Sequence, residues 1–166
     1  MSQKLFINVM VFDGSGSASF PGEVLVQGNR IKAVVKGRNQ LKADDTEVID
    51  GGGATLMRGL TEAHAHLSFT NCASVREIGD LPIEEHTLLA ARHAKLMLDC
   101  GFTSCFSAAS AKPRLDIVIR NEINAGLLPG PRLRAASPEI TASGGLGDVR
   151  QLHNCLLYTS PSPRDR

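Results

Sequence analysis

Apolar and polar residues alternate with two different periods along the chain. From Leu5 to Phe12 the run is dense in β-branched and aromatic residues, the composition of a strand. Asp13-Gly-Ser-Gly-Ser17 supplies turn chemistry. Glu23 to Gln27 and Arg30 to Val35 flank Gly28-Asn29, a two-residue hairpin loop. Val24 and Val26 share one strand face, and Ile31, Ala33 and Val35 share another. Glu47 to Asp50 reads as a further short strand, closed by Gly51-Gly-Gly53. This pattern predicts a small antiparallel β unit over residues 1–57. Its apolar faces need a partner sheet, because so few residues make a thin core.

The period then changes. Thr55 to Leu60 leads into His64-Ala-His66, read as a strand and its exit. A helix follows, with Asp80 as N-cap, Pro82 in the first turn and Glu84 and Glu85 at the positive helix end. It runs through Leu89, Leu96 and Leu98 to Cys100 and stops at Gly101. Phe102 to Ser107 is the next strand, Leu115 to Asn124 the next helix, stopped by Gly126, and Pro131 to Ala136 a third strand. A glycine-rich loop, Gly144 to Asp148, comes after it. Strand, helix, strand, helix, strand is the alternation of βαβ units on a parallel sheet. The fold class is therefore α/β, preceded by a β unit.

Composition narrows the function classes. Of 166 residues, 18 are basic and 17 acidic, a net charge of +1, which argues against nucleic-acid binding by bulk electrostatics. No apolar run approaches the ~18 residues of a membrane span, and the N-terminus lacks the apolar region and cleavage site of a signal peptide. Four cysteines without a CxxC pair fit a reducing, cytoplasmic compartment. The last twelve residues, Cys155 to Arg166, hold the only Tyr and two of the eight Pro. The eleven from Cys155 to Asp165 match one reading frame of a transposase-type sequencing adapter. Residues 155–166 are therefore set apart from fold reasoning as an adapter-derived tail, and the natural frame is expected to continue beyond Asn154.

His64 and His66 carry the sharpest chemical signal. Residues i and i+2 of a strand face one way, roughly 6–7 Å apart, so two imidazoles can converge on one metal ion. Spacing alone is weak evidence: five histidines in 166 residues produce an HxH by chance about 0.15 times per chain. His86 and His93, seven apart on one helix face, read as packed or solvated histidines. Cys100 and Cys105 read as small apolar fillers, and Cys72 follows the HxH strand. Lys112 and His153 are not assigned as ligands.

The stretch Val48-Ile-Asp-Gly-Gly-Gly-Ala-Thr-Leu-Met-Arg-Gly-Leu-Thr-Glu-Ala-His-Ala-His-Leu67 resembles the signature of the metal-dependent amidohydrolase superfamily. The usual pattern there is VID-x-x-G-x-x-x-x-PG-h-h-D-x-H-x-H, with h apolar. Gly28-Asn-Arg-Ile-Lys-Ala-Val34 is similar to the hairpin of the same families. Leu81-Pro-Ile-Glu-Glu85, Gly101-Phe-Thr103, Gly130-Pro-Arg-Leu133 and Gly144-Gly-Leu-Gly-Asp148 resemble the branch holding imidazolonepropionase-related and Xaa-Pro dipeptidase-like enzymes. The resemblance covers Leu5 to about Arg150. Arg58 stands where the family usually has Pro, and Glu62 where it usually has Asp.

The resemblance implies a (β/α)8 barrel joined to a small β-sandwich. Residues 1–57 would be part of the sandwich and 58–154 about three βα units of an incomplete barrel. It implies a hydrolase of carbon–nitrogen bonds, acting on a small-molecule amide or peptide, and a homo-oligomer when full length. One or two divalent ions, Zn2+ first among them, would be held in part by His64 and His66. Glu62 and Asp148 become supporting or substrate-contacting residues. The other ligands and the catalytic base would come from strands beyond Asn154, so the chain by itself is expected to be inactive. An open sheet edge after the third strand is expected to favour association. The alternative is a short, non-catalytic β-rich binding or assembly module.

Overall fold

The computed structural model describes residues 2–142 and 145, apart from 43, 70, 72, 74–76 and 78. Two compact units emerge, Met1–Arg58 and Gly59–Arg166. Among the described residues no helix is long and apolar enough to cross a membrane.

The first unit is one mixed sheet. Strands β1 (Gln3–Phe12), β2 (Phe20–Gln27) and β3 (Arg30–Lys36) form an antiparallel meander. Gly28, at φ 59°, turns the second hairpin, the backbone that a two-residue loop demands. The expectation of a wholly antiparallel unit is corrected by β4 (Glu47–Asp50) and β5 (Thr55–Met57), which both run parallel to β1 along its other edge. A bulge in β1 separates the stretch paired with β4 from the stretch paired with β5. The register of β1 with β2 shifts between Phe6 and Val9, where Asn8 takes φ 52°. Gly51-Gly-Gly53 folds over that bulge. Gly51 N–H and Gly53 N–H donate to the carbonyls of Ile7 (2.9 Å) and Asn8 (2.7 Å). A Cβ on Gly51 would lie 2.3 Å from Val9 Cγ1, so only glycine fits. Thr55–Met57 therefore belongs to this sheet, not to the approach of the histidine strand.

Val9, Val11 and Val24 form the core of this unit, with Phe6, Phe20, Val26 and Leu56 packed on it. Phe12, Ile31, Val34 and Met57 stay exposed. Glu23 is a buried carboxylate that the alternation pattern concealed. It is 2% exposed and accepts the backbone N–H groups of Asn39, Gln40 and Leu41, which satisfies an otherwise unpaired turn. Arg58 lies against Gly14, and its positive charge joins the Ser15 hydrogen bonds in lowering the Asp13 carboxyl below its ordinary value. The arginine thus has a place in this unit.

In the second unit three parallel strands, β6 (Leu60–Ala65), β7 (Phe102–Ser107) and β8 (Arg132–Arg134), stand in that order. Helix α1 (Ile83–Asp99) links the first pair and α2 (Leu115–Asn124) the second. Parallel neighbours need such crossovers. The third strand is shorter than Pro131–Ala136. The α1 cap is also corrected. Pro82, not Asp80, holds the N-cap position, without a side-chain cap, because its carbonyl accepts the first helical bond, from His86 N–H. Cys100 is the exposed C-cap residue rather than a core filler. The core takes Ala65 and Leu67, Ala90 and Ala94 of α1, Cys105 and Leu133 of the sheet, and Leu115 and Ile119 of α2. On α1 the buried stripe is therefore His86, Ala90 and Ala94, while Leu88 and Leu96 face outward. Alanine lets the helix sit close to the sheet, and the 3.6-residue period selects it over the leucines.

Candidate metal centre at the end of the histidine strand

His64 is the penultimate residue of β6 and His66 follows the strand's last residue. Their imidazoles meet: Nε2 lies 3.2 Å from Nε2, with ring centroids 5.0 Å apart and planes at 77°. His66 is held from two further sides. Phe69 stacks on its ring, centroids 4.1 Å apart and planes at 14°. Its Nδ1 lies 3.2 Å from the Ala109 carbonyl oxygen. A carbonyl only accepts, so Nδ1 carries the proton and the His66 Nε2 lone pair faces His64.

Several main-chain groups around the pair have defined partners. Glu62 reaches forward and accepts the His64 N–H at 3.0 Å. The Ala65 carbonyl accepts from Ala108 N–H (2.8 Å) and the His66 carbonyl from Phe69 N–H (3.2 Å). The Leu67 carbonyl accepts from His93 Nδ1–H at 2.8 Å, and the Ser68 carbonyl from His86 Nε2–H. Both α1 histidines thus clamp the backbone that leaves the HxH pair. Their shared helix face made them legible as a pair, but nothing local in the sequence shows that they bind carbonyls 26 and 18 residues away.

A buried polar layer lies at the next strand end. Ser68, Ser107, Ser110 and Asp116 are each 2% exposed or less. Ser68 Oγ accepts from Ala111 N–H at 2.8 Å, Ser110 Oγ donates to the Lys112 carbonyl at 2.9 Å, and Ser107 Oγ contacts both Asp116 Oδ2 and the Ala109 carbonyl. Asp116 sits in the first turn of α2. Burial raises its carboxyl above the ordinary value of 3.8, more than the Ser107 hydrogen bond lowers it. The sequence reading missed this group, and the only signal would have been an acidic residue flanked by apolar ones in Leu115-Asp-Ile-Val118. A raised folded-state pKa means the folded chain holds this proton more tightly than the unfolded chain. That contribution to stability is complete below 3.8 and is lost as pH rises through the raised value. Asp116→Asn should therefore stabilise the chain at neutral pH by about 1–3 kcal/mol, and the gain should vanish near pH 3.5. Urea unfolding across pH checks it.

Burial likewise raises the Cys105 thiol to about 11, which marks it as an inert core group. Lys112 donates to the Gly79 carbonyl at 2.9 Å, a structural contact. Cys72, Asp148, His153, most of the Gly144–Asp148 loop and the 155–166 tail lie outside the described residues.

The geometry fits a shared ion. Two nitrogens that each lie 2.0–2.1 Å from one ion are about 3.0 Å apart at an octahedral edge and about 3.3 Å at a tetrahedral one. The observed 3.2 Å falls between them. Among the described residues no third His, Cys, Asp or Glu joins the pair, one fewer than the three protein ligands of a usual catalytic zinc.

No protein-family model matches the chain, and no curated protein sequence does. Solved structures do. The chain is similar to a prolidase complexed with N-methylphosphonate-L-proline, at 23% identity and a TM-score of 0.75 over 87% of this chain and 34% of that one. It is similar to a Xaa-Pro dipeptidase with methionine bound in the active site, at 23% identity and a TM-score of 0.74 over 99% of this chain and 38% of that one. An amidohydrolase matches at 25% identity and a TM-score of 0.68, over 88% and 38%. The fold is thus that of amidohydrolase chains. This chain spans little more than a third of the length of each.

Proposed function

We propose that this chain is the N-terminal part of a metal-dependent hydrolase of carbon–nitrogen bonds, of the amidohydrolase superfamily. In this reading β6 to β8 are the first three strands of a (β/α)8 barrel and the first unit is part of its β-sandwich. His64 and His66 hold one divalent ion, Zn2+ by preference. The observation that carries the reading is the convergence of the two Nε2 atoms at 3.2 Å, with the His66 lone pair fixed toward the meeting point. The likeness to a prolidase, a Xaa-Pro dipeptidase and an amidohydrolase supports the reaction class. A peptide or small amide is then the substrate.

The ion, when bound, lowers the pKa of its water and polarises the scissile carbonyl. The chain's own residues do the rest. Ala109 holds the His66 proton on Nδ1, which leaves Nε2 free to bind. Glu62 fixes the main chain of His64 and so the direction of its ring. To bind through Nε2, His64 would have to carry its proton on Nδ1 instead of pointing it at His66. With two ligands and no described base, this chain alone is inactive, and further strands complete the site. The test is the native locus read beyond codon 154 from unfragmented DNA, with the encoded protein assayed on Xaa-Pro dipeptides and aryl amides with Zn2+. The proposal predicts a longer frame and metal-dependent hydrolysis that EDTA abolishes. A stop codon directly after Arg166, and no hydrolysis, would replace it with the binding-module reading.

A further inference from the structure

Asp116 is 0% exposed, and its Oδ1 has no hydrogen-bond partner. Its Oδ2 meets Ser107 Oγ, and Ser107 Oγ also lies 3.2 Å from the Ala109 carbonyl oxygen. That carbonyl oxygen is the acceptor of His66 Nδ1–H. Three oxygens and one ring nitrogen therefore form a line from the first turn of α2 to the histidine pair.

The protons decide its direction. A serine hydroxyl has one proton, and here it stands between two oxygens. If Asp116 were ionised, that proton could serve the carboxylate or the Ala109 carbonyl, and one of the two contacts would be oxygen against oxygen with nothing between. A carboxylate would also leave Oδ1 charged, buried and unpaired, the costliest arrangement available. With a carboxylic acid every contact carries one proton, and Oδ1 is an uncharged carbonyl oxygen.

We propose that Asp116 and Ser107 are positioning residues for His66. The Asp116 carboxylic acid donates to Ser107 Oγ, Ser107 donates to the Ala109 carbonyl, and that carbonyl accepts Nδ1–H of His66 and fixes its tautomer. No bond is made or broken. The relay holds a loop carbonyl in the one orientation that keeps the His66 Nε2 lone pair outward. It rests on the reading of His66 as a metal ligand for its purpose, but not for its geometry.

The experiment uses the 166-residue chain labelled with 15N-histidine. Long-range 1H–15N spectra report which His66 nitrogen bears the proton, with the His66 signals assigned by their loss in His66→Gln. Co2+ titrations report affinity separately. Wild type, Asp116→Asn, which keeps a donor, and Ser107→Thr, which keeps the hydroxyl, should all show His66 protonated at Nδ1, with Co2+ affinities within about threefold. Ser107→Ala should mix the two tautomers and weaken Co2+ by about 10-fold or more, the usual effect of losing a residue that supports a ligand. An unchanged tautomer and affinity in folded Ser107→Ala would overturn the relay. Asp116→Leu, which removes the donor, decides the matter if Ser107→Ala does not fold: mixed tautomers support the acid as donor, and an unchanged tautomer overturns it. If no protein binds Co2+, the metal reading fails, while the tautomer comparison still decides the relay.

Discussion

His64→Ala and His66→Ala should each abolish high-affinity Co2+ or Zn2+ binding by this chain. In the proposed reading the two imidazoles at 3.2 Å would chelate one ion together, whereas one exposed imidazole would be an ordinary surface ligand. The loss should therefore exceed the about 10–100-fold that supporting residues cost. The two variants should differ in their side effects. His64 is exposed and, among the described residues, its ring hydrogen-bonds only with His66, so His64→Ala should leave stability within about 0.5 kcal/mol of wild type. His66 also stacks on Phe69 and holds the Ala109 carbonyl, so His66→Ala should cost about 1–3 kcal/mol as well. Isothermal titration with each metal, beside urea unfolding without it, separates the two effects. Binding that survives either substitution would remove the pair from the centre.

Leu67→Ala should produce the largest loss of stability, about 2–5 kcal/mol. Leu67 is 1% exposed and belongs to the core formed with Ala90, Ala94, Leu115 and Ile119. Its alanine neighbours are too small to collapse into the space it would leave, which puts the cost toward the upper end. Leu67 is also the residue after His66, and its carbonyl is the one that His93 clamps. Loosening it should weaken metal binding without touching a ligand. Leu88→Ala, on the outward face of α1 at 63% exposure, should change stability by no more than about 0.5 kcal/mol. Urea unfolding followed by far-UV circular dichroism compares the two. Equal losses would mean that the packing described for α1 is wrong.

Much of the fold was legible because its signals are local. Glycine at 28, 101 and 126, and the runs between them, placed two hairpin strands, two helices and the strand Phe102–Ser107. The direction of β4 and β5 was not legible, because they pair with β1 across more than forty residues, a separation that no local alternation pattern spans. Asp80 looked like a cap by residue type, but cap position is set by which carbonyl accepts the first helical bond, and that is Pro82. The helix span was legible from its leucines, but not its buried face, which is His86, Ala90 and Ala94. At the site, the HxH spacing was visible and its local geometry follows from the strand. The support around it was not. Phe69, His86, His93, Ser107 and Asp116 act through main-chain carbonyls, hydroxyls and ring stacking, contacts set by tertiary position rather than by any spacing in the chain.

X-ray absorption at the zinc edge, on the 166-residue chain loaded with one equivalent of Zn2+, tests the central claim most directly. The account predicts a first shell containing two imidazole nitrogens at about 2.0–2.1 Å, with imidazole multiple scattering that disappears in the His64→Ala/His66→Ala double variant. A spectrum without imidazole scattering, or one that the double variant leaves unchanged, would contradict it.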